Sequence, residues 1–359
     1  LFLKSQGRVP RTSEMNLFTR VSKIFERDIL TNQGPELKEL EYRITNFLNV
    51  PHFQYLTNGT VAIQLALKAL GINEGEVITT PFSFVATTTS ILWERCKPVF
   101  VDIEPNNFTI DPEKIEAAIT ERTKAIMPVH VFGYACNVEA IEKIARKHNL
   151  KVIYDAAHAF GSWYKGRSLC SFGDISTVSF HATKVFHTIE GGGCIVKDPE
   201  IDSALDLLKR FGYTDDCYVC AGINAKQDEF NAAMGNVIFP HIAEIIAKRK
   251  EIHDIYEEIL HGKVRRPSYQ EGLTYNYAYY PVIFKDEAQL QCALNFLRSK
   301  GIYARRYFYP SLNTLPYIKE HFECPVSEAI CSRVACLPLY PDLKHDDAKE
   351  IGETLLQVL

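Results

Sequence analysis

The sequence predicts an α/β fold, with a mixed, mostly parallel sheet in a large first unit and a smaller α+β unit after it. Three observations carry this: short apolar segments recur with helical stretches between them, cap and turn residues fall at the joints, and the pattern changes near residue 231. The first helix is expected over 36–48, where Leu37, Leu40, Ile44, Phe47 and Leu48 form one stripe behind the start signal Gly34-Pro35. Strands are expected at 77–80, 99–102, 125–129, 152–155, 175–180 and 193–196. The helix at 61–70 stops at Gly71, and that at 137–148 is closed by His148-Asn149. Residues 231–262 read as a long helical connection bent at Pro240, because proline removes a helix hydrogen bond. Beyond it, 279–284, 287–300 and 346–359 suggest the smaller unit, so the expected domains are 1–235 and 236–359.

Composition narrows the class of partner. A chain of 359 residues with 46% hydrophobic content and a net charge of -4 has no basic footprint for nucleic acid or an acidic membrane, and small molecules suit it better. No apolar run reaches the roughly 18 residues that span a bilayer. The first twenty residues carry Lys4, Arg8, Arg11 and Arg20 without a signal-peptide core, and the cytosol is the expected location. The ten cysteines read as reduced thiols. Only Cys217-x-x-Cys220 has ligand-like spacing, and a zinc site would need a second pair, so no metal is expected.

The chemistry is concentrated around Lys184, in Ser179-Phe180-His181-Ala182-Thr183-Lys184, followed by Glu190-Gly191-Gly192-Gly193 and preceded by Asp155-Ala156-Ala157-His158. An amine that forms imines, an acid that keeps a pyridine nitrogen protonated, and glycines that let backbone approach a ring point to pyridoxal phosphate. Asp155 closes a predicted strand, where open α/β sheets bind ligands. Its alternative reading is a cap on a strand-to-helix turn. Thr57-Asn58-Gly59-Thr60 opens a helix whose free N–H groups attract phosphate, although such a run also makes an ordinary turn. Ser179 adds a hydroxyl donor. Phe84 is placed to stack on the ring, with a buried strand aromatic as its alternative.

Together these motifs resemble the DegT/DnrJ/EryC1/StrS family of nucleotide-sugar aminotransferases, from Leu30-Thr31-Asn32-Gln33-Gly34-Pro35 to Arg306-Tyr307-Phe308-Tyr309-Pro310. The resemblance implies the pyridoxal-phosphate-dependent fold type I, like aspartate aminotransferase. It also implies that Lys184 bonds the cofactor, Asp155 pairs with its ring nitrogen and His158 lies near its phenolic oxygen. Gly59, Thr60 and Ser179 would hold the phosphate, and Phe84 would cover the ring. Asn224, in Gly222-Ile223-Asn224-Ala225-Lys226, would reach the cofactor phosphate of a neighbouring subunit, making a homodimer with shared active sites. Where relatives continue with Met-Ser-Glu, this chain has Gln227-Asp228-Glu229, which adds a charge beside that loop.

The implied reaction moves an amino group from L-glutamate, leaving 2-oxoglutarate, to a dTDP- or UDP-linked 4-keto-6-deoxyhexose. The product would be a 4-amino-4,6-dideoxy sugar for a surface glycan such as O-antigen. Amination at carbon three, and a cofactor-binding regulatory protein without turnover, are the alternatives. A dehydratase of the same family carries histidine in place of the lysine, and Lys184 argues against it. His181, Tyr307 and the Arg305-Arg306 pair are candidates for meeting sugar hydroxyls, diphosphate or the glutamate carboxylate, against the plainer reading of solvated surface arginines.

Overall fold

Seven strands form the central sheet, in the order His52–Leu56, Gly192–Val196, Ile175–Ser179, Lys151–Asp155, Thr123–Met127, Glu76–Thr79 and Lys97–Phe100. Gly192–Val196 runs antiparallel to both of its neighbours, and the other pairings are parallel. The computed structural model describes residues 11–359, with side chains from residue 15 onward, so Lys4 and Arg8 lie outside the described residues. The six expected strands are present with ends shifted by up to two residues. His52–Leu56 was not expected: it is five residues long, and its alternation covers only His52 to Tyr55, too short a run to mark a strand by itself.

Alternation along the strands divides the interior. Ile195 packs in one cluster with Leu40, Ile44, Phe53 and Phe180, whereas Cys194 and Val196 pack in another with Ile63, Leu67, Val77 and Ile153. Helix Pro35–Leu48 supplies Leu37, Leu40, Ile44 and Leu48 to the first cluster and stops at Asn49, whose φ of 53° is left-handed. Helix Val138–His148 is capped by the Asn137 side chain and stops at left-handed Asn149. The long connection is bent as the proline requires: Glu229–Ile238 gives way to a tight turn at Phe239–His241 containing Pro240, then to Ile242–Leu260.

A further core joins Ile252, Tyr256 and Leu260 to Tyr280 and Val282, to Leu290 and to Leu337 and Ile351. Here the strands Tyr280–Ile283 and Val334–Leu337 pair antiparallel beside helices Glu287–Ser299 and His345–Leu356. Parts of the chain beyond residue 236 return to the first body. Leu273–Thr274 pairs with Trp163–Tyr164, Phe308 packs with Phe82 and Phe132, and Leu312 packs with Phe100. Asp102 fastens this return by accepting the Val326 and Ser327 N–H groups at 3.0 and 2.9 Å, the first N–H groups of helix Pro325–Arg333. The consequence is a cleft roofed by residues 305–308. Among the described residues, no helix is long and apolar enough to cross a membrane.

Candidate active site

A cavity of about 340 Å³ opens at the carboxyl ends of the strands Lys151–Asp155 and Ile175–Ser179. This lies within the roughly 300–1,000 Å³ typical of small-molecule sites. It gathers Gly59, Thr60, Phe84, Asp155, His158, Ser179 and Lys184, from four separate stretches of chain. Tyr307 and Arg305 reach it from the returning segment. A second cavity of about 120 Å³ shares Lys184, Tyr279, Arg305 and Tyr307, and continues toward His187 and Arg249.

Lys184 is half-buried at the cavity wall, and desolvation there disfavours its ammonium form, lowering its pKa to about 8 against the opposing pull of the Asp155 carboxylate. With a pKa of about 8, roughly a tenth of the amine is neutral at pH 7, far more than for an ordinary lysine, and the neutral form is the nucleophile. Asp155 is 5% exposed; burial pushes its carboxyl upward, while Thr87, the Ala157 N–H and the Lys184 charge hold it down. Oδ2 accepts from Thr87 Oγ1 at 2.7 Å and Oδ1 accepts from the Ala157 N–H at 3.1 Å. The turn-capping reading is therefore half right: one oxygen serves the turn and the carboxylate still lines the cavity.

His158 Nδ1 accepts the Phe132 N–H at 3.2 Å, which leaves Nε2 to carry the proton of the neutral ring. Burial and the neighbouring Lys184 charge keep this ring uncharged, with its pKa well below the usual histidine value. Phe308 stacks on it at 5.4 Å between centroids and Tyr279 meets it edge-on at 5.0 Å. Neither aromatic was singled out from the sequence, because only the return of the distant segment brings them here.

At the phosphate end, Asn58 caps helix Gly59–Ala69 by accepting the Val61 N–H at 2.9 Å. The N–H groups of Gly59 and Thr60 have no acceptor within the helix, and they line the cavity beside Ser179. A Cβ on Gly59 would lie 2.9 Å from Ser179 Cβ, so glycine lets these two elements meet. Phe84 is 55% exposed in the bend before helix Ala86–Trp93, facing the cavity, which corrects the buried-strand alternative.

The glycine run has a different task from the expected one. Gly192 and Gly193 lie inside the sheet, where a Cβ would overlap the Asn58 carbonyl carbon and the Phe53 ring respectively. Gly192 brings the strand against the phosphate turn, and Gly193 brings it against the Phe53 ring. The substituted triplet also has a clear local use. Asp228 caps helix Glu229–Ile238 by accepting the Asn231 N–H at 2.8 Å, and Gln227 donates to the Glu190 carbonyl at 2.8 Å. Aspartate and serine are both good caps, so the added charge is absorbed at a helix start.

Asn224 is exposed and accepts from Lys226 Nζ at 2.7 Å, outside this chain's cavity. Arg305 lines both cavities and donates to the Tyr307 hydroxyl at 2.6 Å. Arg306 instead points to Glu287 at 2.9 Å and covers Tyr309. His181 sits at the rim, with Nδ1 2.8 Å from Thr183 Oγ1 and Nε2 3.6 Å from Glu190. Cys217 and Cys220 are exposed on a short hairpin, and no group of three or more metal-ligating side chains occurs among the described residues.

Residues 12–356 match the DegT/DnrJ/EryC1/StrS aminotransferase family. The chain belongs to this family. It is 41% identical over 364 residues to the dTDP-4-amino-4,6-dideoxy-D-glucose transaminase of Shigella dysenteriae, covering 99% of this chain and 98% of that protein. Among solved structures, DesI in the presence of its TDP-sugar product superimposes with a TM-score of 0.92 at 31% identity, covering 99% of this chain and 92% of that one. The PLP form of the sugar aminotransferase Spr1654 from Streptococcus pneumoniae gives 0.92 at 26% identity, covering 99% and 97%. The protein is thus a pyridoxal-phosphate-dependent aminotransferase of fold type I. The cavity fits that cofactor: a half-buried amine with a lowered pKa, a carboxylate, an aromatic face and a helix start surround one space.

Proposed function

We propose that this aminotransferase moves the amino group of L-glutamate to carbon four of a dTDP- or UDP-linked 4-keto-6-deoxyhexose. The products are 2-oxoglutarate and a 4-amino-4,6-dideoxy sugar. One observation carries the reading: end-to-end similarity, at 41% identity, to a dTDP-4-amino-4,6-dideoxy-D-glucose transaminase.

Pyridoxal phosphate, when bound, accepts the electron pair left on the donor's α-carbon as its proton departs. Lys184 would hold the cofactor through Nζ, and the same nitrogen would serve as the base that takes the donor's α-proton, a task to which its lowered pKa suits it. Asp155 would keep a proton on the cofactor ring nitrogen. The N–H groups of Gly59 and Thr60 and the Ser179 hydroxyl would hold the phosphate, Phe84 would cover the ring, and His158 would meet its phenolic side through Nε2. Arg305 and Tyr307 face the space left for substrate, and Arg305 suits a carboxylate or diphosphate by its planar fork.

The same reading makes the protein a cytoplasmic homodimer with shared sites. Its support is the exposed position of Asn224, which leaves that amide available to a second subunit's phosphate. It also divides the chain into a cofactor-binding body, 1–235, and a connecting helix with a second unit, 236–359. A surface glycan such as the O-antigen of lipopolysaccharide is the expected destination of the product.

The test is incubation with L-glutamate and a panel of dTDP- and UDP-linked keto-sugars, with 2-oxoglutarate measured and the aminated carbon assigned by NMR. Amination at carbon four supports the proposal. Amination at carbon three alone, or no release of 2-oxoglutarate with any acceptor, overturns it. Lys184→Ala is expected to fold and to lose turnover by a factor of about 10² or more.

A further inference from the structure

Buried threonines in helices usually turn their hydroxyls back to the carbonyl four residues earlier. Thr89 does so, donating to the Val85 carbonyl at 3.1 Å. Thr87, two residues before it in helix Ala86–Trp93 and fully buried, does not. Its hydroxyl reaches out of the helix and donates to Asp155 Oδ2 at 2.7 Å, a partner 68 residues away in sequence.

Ser83 Oγ lies 2.8 Å from Thr87 Oγ1, and Ser83 is 2% exposed. A hydroxyl has one proton to give. Since the carboxylate takes that of Thr87, the Ser83 hydroxyl donates to Thr87, and the two bonds point the same way, toward Asp155. Chains of this kind polarise one another, and a hydrogen bond to a charged acceptor is about twice as strong as a neutral one. With Oδ1 held by the Ala157 N–H, each oxygen of Asp155 has one fixed donor and the carboxylate plane cannot rotate. The bend that carries Phe84 carries Ser83, and Thr87 opens the helix that follows it, so ring cover and carboxylate support come from one stretch.

We propose that Ser83 and Thr87 form a two-hydroxyl relay that holds Asp155 as an oriented carboxylate, making Thr87 the positioning residue for protonation of the cofactor's ring nitrogen. The inference rests on the reading of Lys184 and Asp155 above and adds to it what sets the state of the acid. A merely structural role for Thr87 would be met by valine, which has the same shape. A relay demands a hydroxyl.

The experiment loads wild-type, Thr87→Val, Thr87→Ser and Ser83→Ala proteins with pyridoxal phosphate labelled with 15N in the ring, and records the ring-nitrogen resonance at one pH. Wild type and Thr87→Ser are expected at the protonated position, and Thr87→Val is expected to move toward the unprotonated one with cofactor affinity about tenfold weaker. Ser83→Ala falls between them. Should Thr87→Val hold too little cofactor to observe, the Ser83→Ala shift decides. A ring nitrogen as protonated in Thr87→Val and Ser83→Ala as in wild type overturns the relay. Borohydride reduction with peptide mapping of the same samples reports separately on the underlying reading: cofactor fixed to Lys184 in every variant leaves that reading intact even if the relay fails, and label elsewhere in wild type removes it.

Discussion

Glu229 accepts the Leu37 N–H through Oε1 at 2.9 Å, and its other oxygen accepts the Glu36 N–H at 2.8 Å. One carboxylate thereby caps a distant helix, with Glu36 lying 193 residues earlier in sequence, and joins Pro35–Leu48 to Glu229–Ile238. Glu229→Ala leaves two buried N–H groups without a partner, and the expected cost is about 1–3 kcal/mol. Chemical denaturation of the cofactor-loaded protein measures it; an unchanged midpoint would show that water or a rearranged cap replaces the carboxylate.

The Lys184 amine offers a pH test on the apoprotein. Burial lowers its pKa and the Asp155 carboxylate raises it, giving about 8. Only the neutral amine attacks, so capture of an aldehyde probe at Lys184 should rise with pH through a midpoint near 8. Asp155→Asn removes the raising influence, and the midpoint should move down. A midpoint that moves up, measured by mass spectrometry of the trapped peptide, would contradict the assigned environment.

Arg305 and Arg306 are neighbours in sequence and separate in use. Arg305→Ala is expected to raise the KM for one of the two substrates about tenfold or more, the scale of a lost charged hydrogen bond. Arg306→Ala, whose guanidinium is engaged with Glu287 outside the cavity, should leave both KM values within about twofold. Steady-state kinetics with each substrate varied in turn distinguishes the pair, and equal effects would defeat the distinction.

At Gly192 an alanine Cβ would press on the Asn58 carbonyl carbon and lie 2.5 Å from the Gly59 nitrogen. Both are backbone atoms, so the phosphate turn itself has to shift. Gly192→Ala is expected to cost about 1–3 kcal/mol and to speed cofactor loss on dialysis. Gly262→Ala serves as a comparison of a different kind: it meets no atom within 4 Å, but its φ of +70° charges only local backbone strain. Retention of cofactor by Gly262→Ala and its loss by Gly192→Ala would separate contact at the turn from general weakening.

Local signals were enough for much of the molecule. Asn49, Gly71 and Asn149 end helices with left-handed backbone, and apolar spacing marked Pro35–Leu48 before any contact was known. Strand His52–Leu56 escaped because its alternation spans only His52 to Tyr55, and so short a run carries little signal. Thr87 escaped because it opens a run of four hydroxyl residues, Thr87 to Ser90, and none of them carries a mark of the acid it meets. The use of Gly192 was misread for a similar reason: glycine announces a close approach but not what approaches.

The order of Asp155, Ser179 and Lys184 along the chain, with the helix start at Gly59, was legible from residue type and spacing, because cofactor chemistry demands those groups; Asp155 and Ser179 end strands, Gly59 starts a helix and Lys184 lies in the turn that follows Ser179. Which partners stand beside them was decided only when the sheet formed and the segment containing Arg305, Tyr307 and Phe308 folded back over its carboxyl edge. Contacts across such distances depend on the packing of the whole core, and no local pattern of residues encodes them.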